Sequence, residues 1–256
     1  MNEPPLSKDQ AVRYERHLAL VGIGAEGQRR LLGSSALVVG AGGLGSPAIL
    51  YLAAVGVGRL GILDDEQVEL SNLNRQVIHR TTDVGRPKVE RAVEAVCALT
   101  PDCTVEPLAE RLTPRNARAI VRRFDLVLDC TDNFPTRFLL SDACWLGKKP
   151  LVSAAVQRFE GMLLTVLPEK GSPCYRCLVP ESPEPQDRAI FGAVPGVLGT
   201  LEAMEAVKVL LGIGSNLAYR LLVYDGLAGT FRTVRRTRDP ACPLCGDHPT
   251  ITDVGR

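Results

Sequence analysis

Short apolar runs alternate with longer amphipathic segments through the first 156 residues. Continuous apolar runs are typical of strands buried on both faces of a parallel sheet, and the segments between them have helical spacing. The runs predict strands at 36–39, 60–63, 104–106, 126–129 and 151–156. The segments predict helices at 44–55, 87–99, 114–123 and 135–147, with Pro87 opening the second and Thr113 capping the third. This alternation predicts a Rossmann-like, doubly wound α/β sheet that is mostly parallel.

The pattern changes after residue 156. Residues 162–167 read as a strand that follows the preceding strand without a helix, so the sheet is expected to continue with antiparallel C-terminal strands. A helix at 197–211 and strands near 220–224 and 230–235 complete this part. Residues 180–187 contain three prolines and predict a mobile loop.

The N-terminal segment 8–32 has helical spacing with a glycine break at 22–24. Its apolar residues are expected to make contacts with the rest of the domain. These residues are Val12, Leu18, Leu20, Leu31 and Leu32.

A glycine-rich loop lies between the first strand and the helix after it. Gly40, Gly42 and Gly45 give the Gly-x-Gly-x-x-Gly spacing, and Asp64 ends the next strand. Glycines let the backbone approach phosphate oxygens, the helix N-terminus supplies oriented N–H groups, and the carboxylate can accept from ribose hydroxyls. The loop alone would favour NAD, whereas the doubled Gly42-Gly43 offers more backbone to a longer phosphate chain.

Further along the chain, polar and charged residues favour ATP over NAD. Ser71, Asn72 and Arg75 lie in the loop after the second strand, and Lys88 opens the next helix. A triphosphate needs such cations in addition to helix dipoles. Asp132 and Asn133 follow another strand at the edge of the sheet where ligands bind, and a carboxylate there can hold Mg²⁺.

Composition narrows the class of partner and the compartment. The chain has 256 residues, a net charge of +1 and 5% aromatic residues, so nothing in it favours binding to nucleic acid or to an anionic membrane. Residues 1–10 are polar and lack the apolar stretch of a signal peptide. We therefore expect a cytoplasmic protein.

Four of the eight cysteines form two Cys-x-x-Cys pairs, Cys174 with Cys177 and Cys242 with Cys245. Four thiolates make a closed tetrahedral site for structural Zn²⁺. Four buried thiols or a redox-active pair are the alternatives, although the redox pair usually belongs to a thioredoxin-like unit that the pattern here does not predict. The favoured interpretation is a zinc site that ties the C-terminal tail to the middle of the chain.

Taken together, these motifs resemble the ThiF/MoeB/HesA family, the bacterial relatives of ubiquitin-activating enzymes. They occur in family order over nearly the whole chain, and the resemblance is strongest to molybdopterin-synthase adenylyltransferases. The matching segments are Arg13-Tyr14-Glu15-Arg16-His17, Gly40-Ala41-Gly42-Gly43-Leu44-Gly45, Ser71-Asn72-Leu73-Asn74-Arg75-Gln76, Gly85-Arg86-Pro87-Lys88, Asp129-Cys130-Thr131-Asp132-Asn133, Cys174-Tyr175-Arg176-Cys177 and Cys242-Pro243-Leu244-Cys245.

The resemblance implies a role for each matching residue in ATP-dependent chemistry. Gly43 would contact the phosphates and Asp64 the ribose. Asn72, Arg75 and Lys88 would grip the phosphates, and Asp132 would coordinate Mg²⁺. Arg16 would reach into the ATP site of a neighbouring subunit, which implies a homodimer. The chain departs from the family at His17, where glutamine is usual.

The implied activity is adenylation of the C-terminal glycine carboxylate of a small ubiquitin-like sulfur carrier ending in Gly-Gly. The implied pathway is molybdenum cofactor biosynthesis, with thiamine, tRNA-thiolation or cysteine-synthesis carriers as alternatives and an NAD-dependent oxidoreductase as the rival class. The chain would form one adenylation domain over 1–256, with a nucleotide-binding half to about 156 and a partner-binding and zinc half from about 157.

Several family members use a loop cysteine to form a covalent adduct with the carrier. No cysteine lies between Cys177 and Cys242 here, so adenylation is expected without a covalent enzyme–carrier step. A separate protein is expected to donate the sulfur.

Overall fold

The computed structural model describes residues 5–181 and 189–254. Among these residues, eight strands form one sheet. The strands are β1 (Ser35–Val39), β2 (Arg59–Leu63), β3 (Thr104–Leu108), β4 (Leu126–Asp129), β5 (Leu151–Gln157), β6 (Glu160–Val166), β7 (Arg220–Asp225) and β8 (Thr230–Arg235). The helices are α1 (Lys8–Arg13), α2 (Glu15–Leu18), α3 (Gly24–Leu32), α4 (Gly45–Ala54), α5 (Lys88–Leu99), α6 (Ala117–Val121), α7 (Phe134–Gly147) and α8 (Ala193–Leu211).

The sheet has a parallel half and an antiparallel half. Its strand order is β3-β2-β1-β4-β5-β6-β7-β8, and the strands from β3 to β5 run parallel. From β5 to β8 each strand is antiparallel to its neighbour. The strand order reverses between β1 and β4, and such a switch point opens a crevice at the carboxyl ends of the strands. The predicted fold class is confirmed.

Both faces of the parallel half are covered. On one face, α4, α5 and α8 pack on side chains such as Val38, Ile62 and Leu128. On the other face, α6 and α7 pack on residues such as Leu37 and Val127. All five residues of β1 are buried, which explains why this strand appears in the sequence as an unbroken apolar run.

Two predicted helix starts are wrong. A local hydrogen bond explains the start of α6, and the position of a proline in the first turn explains the start of α8. Helix α6 begins at Ala117 because Asn116 Oδ1 accepts from the Thr113 N–H (2.7 Å), which holds a turn where a helix from 114 was predicted. Thr113 is therefore not its N-cap. Helix α8 begins at Ala193 rather than 197, since Pro195 is tolerated in a first turn that needs no backbone donor.

The N-terminal segment forms three helices rather than one broken helix. Leu31 is buried, but Val12 and Leu20 are 76% and 51% exposed, so their predicted contacts within the domain are wrong. The predicted mobile loop at 180–187 falls mostly outside the described residues. Among the residues described, none of the helices has both the length and the apolar character that a membrane span requires.

Candidate functional site

The glycine loop turns tightly where β1 and β4 end. Gly40 has φ +97°, and a Cβ there would lie 2.7 Å from the Cys130 carbonyl oxygen of the neighbouring strand. A Cβ at Gly45 would lie 1.9 Å from the Gly40 carbonyl oxygen. These two glycines are required by the turn itself. At Gly42 the nearest atom to a Cβ would be Gln76 Nε2 at 3.5 Å, so this part of the loop has room beside it.

Gly43 brings the loop against two other segments. A Cβ at Gly43 would meet Pro195 of α8 at 3.1 Å and Arg75 Cγ at 3.5 Å. Arg75 Nη1 donates to the Ser71 carbonyl oxygen (2.9 Å) and to Asn74 Oδ1 (3.1 Å), which fixes one side of the guanidinium. The structure therefore places Arg75 beside the glycine loop, as the sequence predicts for a phosphate-binding cation.

Asp64 is tied to the glycine loop from the next strand. Its Oδ2 accepts from the Ala41 N–H (2.8 Å) and its Oδ1 accepts from the Glu66 N–H (2.9 Å). Burial raises the pKa of Asp64, and the Lys88 ammonium acts in the opposite direction. Lys88 is 3% exposed, and its Nζ lies 2.5 Å from Glu66 Oε2. A carboxylate and a cation thus share the end of β2.

Ser71 and Asn72 hold the turn that carries Arg75. Asn72 is buried, and its Oδ1 accepts from the Glu69 N–H (3.0 Å). The Ser71 hydroxyl donates to Glu69 Oε2 (3.0 Å). The side chains of Ser71 and Asn72 therefore stabilise the turn that carries Arg75 in the candidate site.

Asp132 and Asn133 lie at the carboxyl end of β4, next to Gly40. A Cβ at Gly40 would be 3.5 Å from the Thr131 nitrogen. Asn133 caps α7, since its Oδ1 accepts from the Thr136 N–H (3.0 Å). Asp132 is exposed, and its Oδ1 accepts from Asn133 Nδ2 at 3.4 Å. A carboxylate that projects at this edge is suitably placed for a cation.

Arg16 is not part of this cluster in the single chain. It is exposed on α2, which packs against α1 and α3 rather than on the loops at the carboxyl edge. The adjoining His17 points inward instead: its Nδ1 lies 2.9 Å from Gln28 Oε1, and its ring stacks on Tyr14. Where the family usually has glutamine, the side chain of His17 therefore packs against Gln28 and Tyr14.

Sequence reasoning missed three residues beside the loop: Gln76, His79 and Pro195. Gln76 is 4% exposed with an unpartnered Oε1 among the described residues. His79 Nε2 lies 3.1 Å from the Ala41 carbonyl oxygen, and burial lowers the pKa of the ring. Gln76 directly follows Arg75, so its motif was a usable signal. Pro195 lies 120 positions after Arg75 in the chain, and no pattern in the sequence predicted that it would lie beside the loop.

The four paired cysteines come together in space. The Sγ atoms of Cys174 and Cys242 are 3.5 Å apart, those of Cys177 and Cys245 are 3.3 Å apart, and all four lie within 4.8 Å of one another. Tetrahedral Zn²⁺ with bonds of about 2.3 Å requires sulfur separations of about 3.8 Å. Four thiols at this spacing fit a single metal ion.

The predicted nucleotide-binding residues therefore lie around the carboxyl ends of β1, β2 and β4, and the four cysteines lie in the segments after β6 and β8. The first group combines glycine backbone with two cations, Arg75 and Lys88, and two carboxylates, Asp64 and Asp132. In a comparison with known proteins, the model of the ThiF family matches residues 14–244.

The chain belongs to the ThiF family.

Relatives in this family are strongly similar to the chain. It is 49% identical to "SAMP-activating enzyme E1" of Haloferax volcanii over 94% of its own length and 91% of the relative. It is 48% identical to "Sulfur carrier protein adenylyltransferase" of Thermus thermophilus, over 97% and 95% of the two chains. It is also 48% identical to bovine "Adenylyltransferase and sulfurtransferase MOCS3", of which it spans 56%. The predicted enzyme class, an adenylyltransferase, is confirmed.

Solved structures confirm the fold independently. Escherichia coli MccB with succinimide superposes with a TM-score of 0.82 over 94% of this chain and 75% of MccB, at 20% identity. MccB with ATP superposes with a TM-score of 0.80 over 91% of this chain and 74% of MccB, at 22% identity. At this level of identity the likeness establishes the shared fold.

Proposed function

We propose that this enzyme uses ATP to adenylate the C-terminal glycine carboxylate of a small ubiquitin-like sulfur carrier ending in Gly-Gly. The observation that carries the proposal is the placement of the Arg75 side chain beside the glycine loop, where a Cβ at Gly43 would lie 3.5 Å from Arg75 Cγ. An arginine whose side chain lies along a glycine-rich loop can bring its cation to a phosphate chain bound there. Two relatives 48% identical to the chain bear names that specify adenylyltransferase activity, one of them on a sulfur carrier.

The residues present match the needs of this reaction. A carboxylate oxygen of the carrier attacks the α-phosphorus of ATP, a new P–O bond forms, and the bond to the β-phosphate oxygen breaks as pyrophosphate leaves with the electron pair. The carboxylate is already ionised, so no general base is required. In-line positioning and charge neutralisation on the phosphates are required instead. Arg75 and Lys88 are the cations available at the loop.

Asp64 and Asp132 have distinct roles in this proposal. Asp64, held by the Ala41 and Glu66 amides, binds the ribose. Asp132 projects into solvent beside Gly40 and holds Mg²⁺, which neutralises phosphate charge when bound. Asn72, Ser71 and Asn133 keep the loops that carry these groups in place.

We propose a homodimer in which Arg16 completes the partner's nucleotide site. Arg16 is exposed on α2, and exposed apolar residues flank it along the chain: Val12 on α1, and Leu20 and Val21 just after α2. These three are 76%, 51% and 104% exposed, and several exposed apolar side chains within one short segment favour an interface. Sedimentation of Val12→Asp and Leu20→Asp variants tests this: monomers are expected, and retention of the wild-type mass contradicts it.

We propose that the four-cysteine cluster holds structural Zn²⁺ and that the carrier is not linked covalently to the enzyme. The sulfur spacing supports zinc, and a site built from Cys-x-x-Cys pairs that bind metal is typical of a reducing compartment, which we propose is the cytoplasm. Cys130 is buried and burial raises the pKa of its thiol, which argues against its use as a nucleophile. The acyl-adenylate contains no sulfur, so a separate donor protein supplies it.

Molybdenum cofactor biosynthesis is the pathway that we propose, and exchange of radiolabelled pyrophosphate into ATP tests both the reaction and the carrier. Exchange is expected with a molybdopterin-type carrier and not with the same carrier lacking its last glycine. Exchange that depends on a thiamine or tRNA-thiolation carrier instead would move the enzyme to that pathway. Equal exchange with and without any Gly-Gly carrier would contradict the proposed function.

A further inference from the structure

The two residues between the first pair of cysteines both contact α7. In Cys174-Tyr175-Arg176-Cys177, the arginine makes a bidentate pair with Asp142: Nε donates to Oδ1 and Nη2 donates to Oδ2, each at 2.8 Å. Asp142 is 2% exposed. Bidentate pairs of this kind fix both distance and orientation.

Tyr175 reaches the first turn of the same helix. It is 4% exposed, and its ring meets Phe138 edge-on with the centroids 5.7 Å apart. Burial raises the pKa of Tyr175, and the nearby guanidinium of Arg137, the residue before Phe138, acts in the opposite direction. The Arg176 guanidinium lies over the ring of Phe138, 4.6 Å from its centre. The turn formed by residues 174–177, called the cysteine turn below, therefore contacts α7 near its beginning, at Phe138, and near its middle, at Asp142.

Arg137 connects this contact to the nucleotide edge. It is 5% exposed and its Nη2 donates to the Thr131 carbonyl oxygen, the residue before Asp132. Burial opposes the charge on Arg137, but the nearby Asp129 carboxylate and Tyr175 raise its pKa. Arg137 is thus a buried, charged side chain whose hydrogen bond goes to a loop carbonyl. An apolar residue would fill the same volume without the cost of removing a charge from water.

Thr131 is also fixed from the opposite side. Its hydroxyl donates to Asp129 Oδ1 (2.6 Å), while Asp129 Oδ2 accepts from the Ser153 hydroxyl (2.8 Å). Asp129 is completely buried. With Thr131 held at its side chain and at its carbonyl, and Asn133 held as the N-cap of α7, the backbone on both sides of Asp132 has little freedom.

We propose that Tyr175 and Arg137 form a positioning relay that holds Asp132 in place for Mg²⁺, so that the cysteine turn helps to build the nucleotide site. The proposal rests on the role given to Asp132 under the proposed function. Neither residue of the relay touches the nucleotide. Their effect is on the entropy and geometry of the segment that carries the metal-binding carboxylate.

Calorimetric titration of ATP into the full-length zinc-loaded protein, with and without Mg²⁺, tests the relay without any carrier. For Tyr175→Phe, the gain in ATP affinity that Mg²⁺ confers is expected to fall about fivefold, since the hydroxyl next to the Arg137 guanidinium is removed. Arg137→Gln is expected to lose more and Arg137→Lys to recover part of that loss. Affinity without Mg²⁺ is expected to stay at the wild-type value, as is zinc content.

Tyr219→Phe is the matched control, because it removes the hydroxyl of a tyrosine that is 52% exposed. The wild-type titration tests the nucleotide site itself, and the variants test the relay. A Mg²⁺-dependent gain that is unchanged in folded Tyr175→Phe and Arg137→Lys would overturn the proposal. So would an equal loss of affinity with and without Mg²⁺, or a loss of zinc that accounts for the effect.

Discussion

The parallel and antiparallel halves of the sheet are stabilised in different ways. Every residue of β1 and β4 is buried between helices, whereas every residue of β8 is exposed. Burial of apolar surface holds the parallel half. In the antiparallel half, β6 is mostly buried but β8 is exposed, and the cysteine pairs lie in the segments that follow these two strands. The comparison shows why the nucleotide edge belongs to the first half: it needs rigid strand ends, and these are supplied by the fully buried strands.

The largest effect is expected from the charged residues at the nucleotide edge. Arg75→Ala and Asp132→Ala should each lower carrier-dependent ATP–pyrophosphate exchange by about 10²–10³-fold, because Arg75 compensates charge on the phosphates and Asp132 holds the Mg²⁺ that also does so. Thermal unfolding should be nearly unchanged. Arg122→Ala, at an exposed arginine, is the control for the loss of one positive charge. Exchange near the wild-type rate in both variants would show that the reaction uses other residues.

The next largest effect is expected when the proposed zinc site is removed from the antiparallel half. Cys242→Ser should lower Tm by about 10 °C or more, since each kcal/mol shifts Tm by about 2–4 °C in a chain of this size and a lost structural metal costs several. Metal analysis should find one zinc per wild-type chain and none in the variant. Cys97→Ser, at an exposed cysteine outside the cluster, should leave both values unchanged. A zinc-free chain with wild-type Tm and activity would remove the cluster's structural role.

Two glycines of the same loop should respond differently to a methyl group. Gly45→Ala places a Cβ 1.9 Å from a backbone oxygen and should cost about 3 kcal/mol of unfolding free energy or more. Gly42→Ala meets only a side-chain atom at 3.5 Å, so its stability should change by less than about 1 kcal/mol. Its KM for ATP should nevertheless rise about tenfold, because the methyl group covers open backbone. Urea unfolding and exchange kinetics measure the two effects, and similar stability losses in both variants would contradict the distinction.

The smallest effect concerns a carboxyl buried where the halves meet. Glu202 of α8 is fully buried and accepts from the Cys130 thiol at 3.3 Å. Burial raises the pKa of Glu202 well above its usual value, so the folded state keeps a proton that the unfolded state releases. Its contribution to stability is present below the unfolded pKa and is lost as pH rises towards the folded pKa, by at most about 1.4 kcal/mol per pH unit.

Glu202→Gln removes this dependence. Relative to wild type, the variant should therefore become progressively more stable between about pH 5 and pH 8 in urea unfolding. Glu26→Gln, at an exposed glutamate, is the control. A constant difference in unfolding free energy across this range would mean that Glu202 does not retain its proton on folding.

The sequence predicted the features that are determined by residues close to one another along the chain. The buried strands, the glycine turn and the cysteine pairs each carry a local pattern, and the fold class followed from their order. The start of α8 did not follow, because Pro195 interrupts the helical pattern in the sequence although it is tolerated in the first turn of the helix. The relay was also invisible: Arg137 and Tyr175 are separated by 37 intervening residues, and only the fold shows that both serve the segment before Asp132. Val12 and Leu20 were expected to contact the rest of the domain but are exposed, because helical spacing does not show which surface an apolar face will meet.

We propose that the nucleotide edge makes an acyl-adenylate on a carrier. Intact-mass spectrometry of a Gly-Gly carrier, rapidly quenched after mixing with enzyme, ATP and Mg²⁺, detects this product. We expect a carrier heavier by one adenylyl group, which is removed by excess pyrophosphate and is absent with Arg75→Ala. A carrier whose mass never changes under these conditions, or one found covalently attached to the enzyme through a thiol, would contradict it.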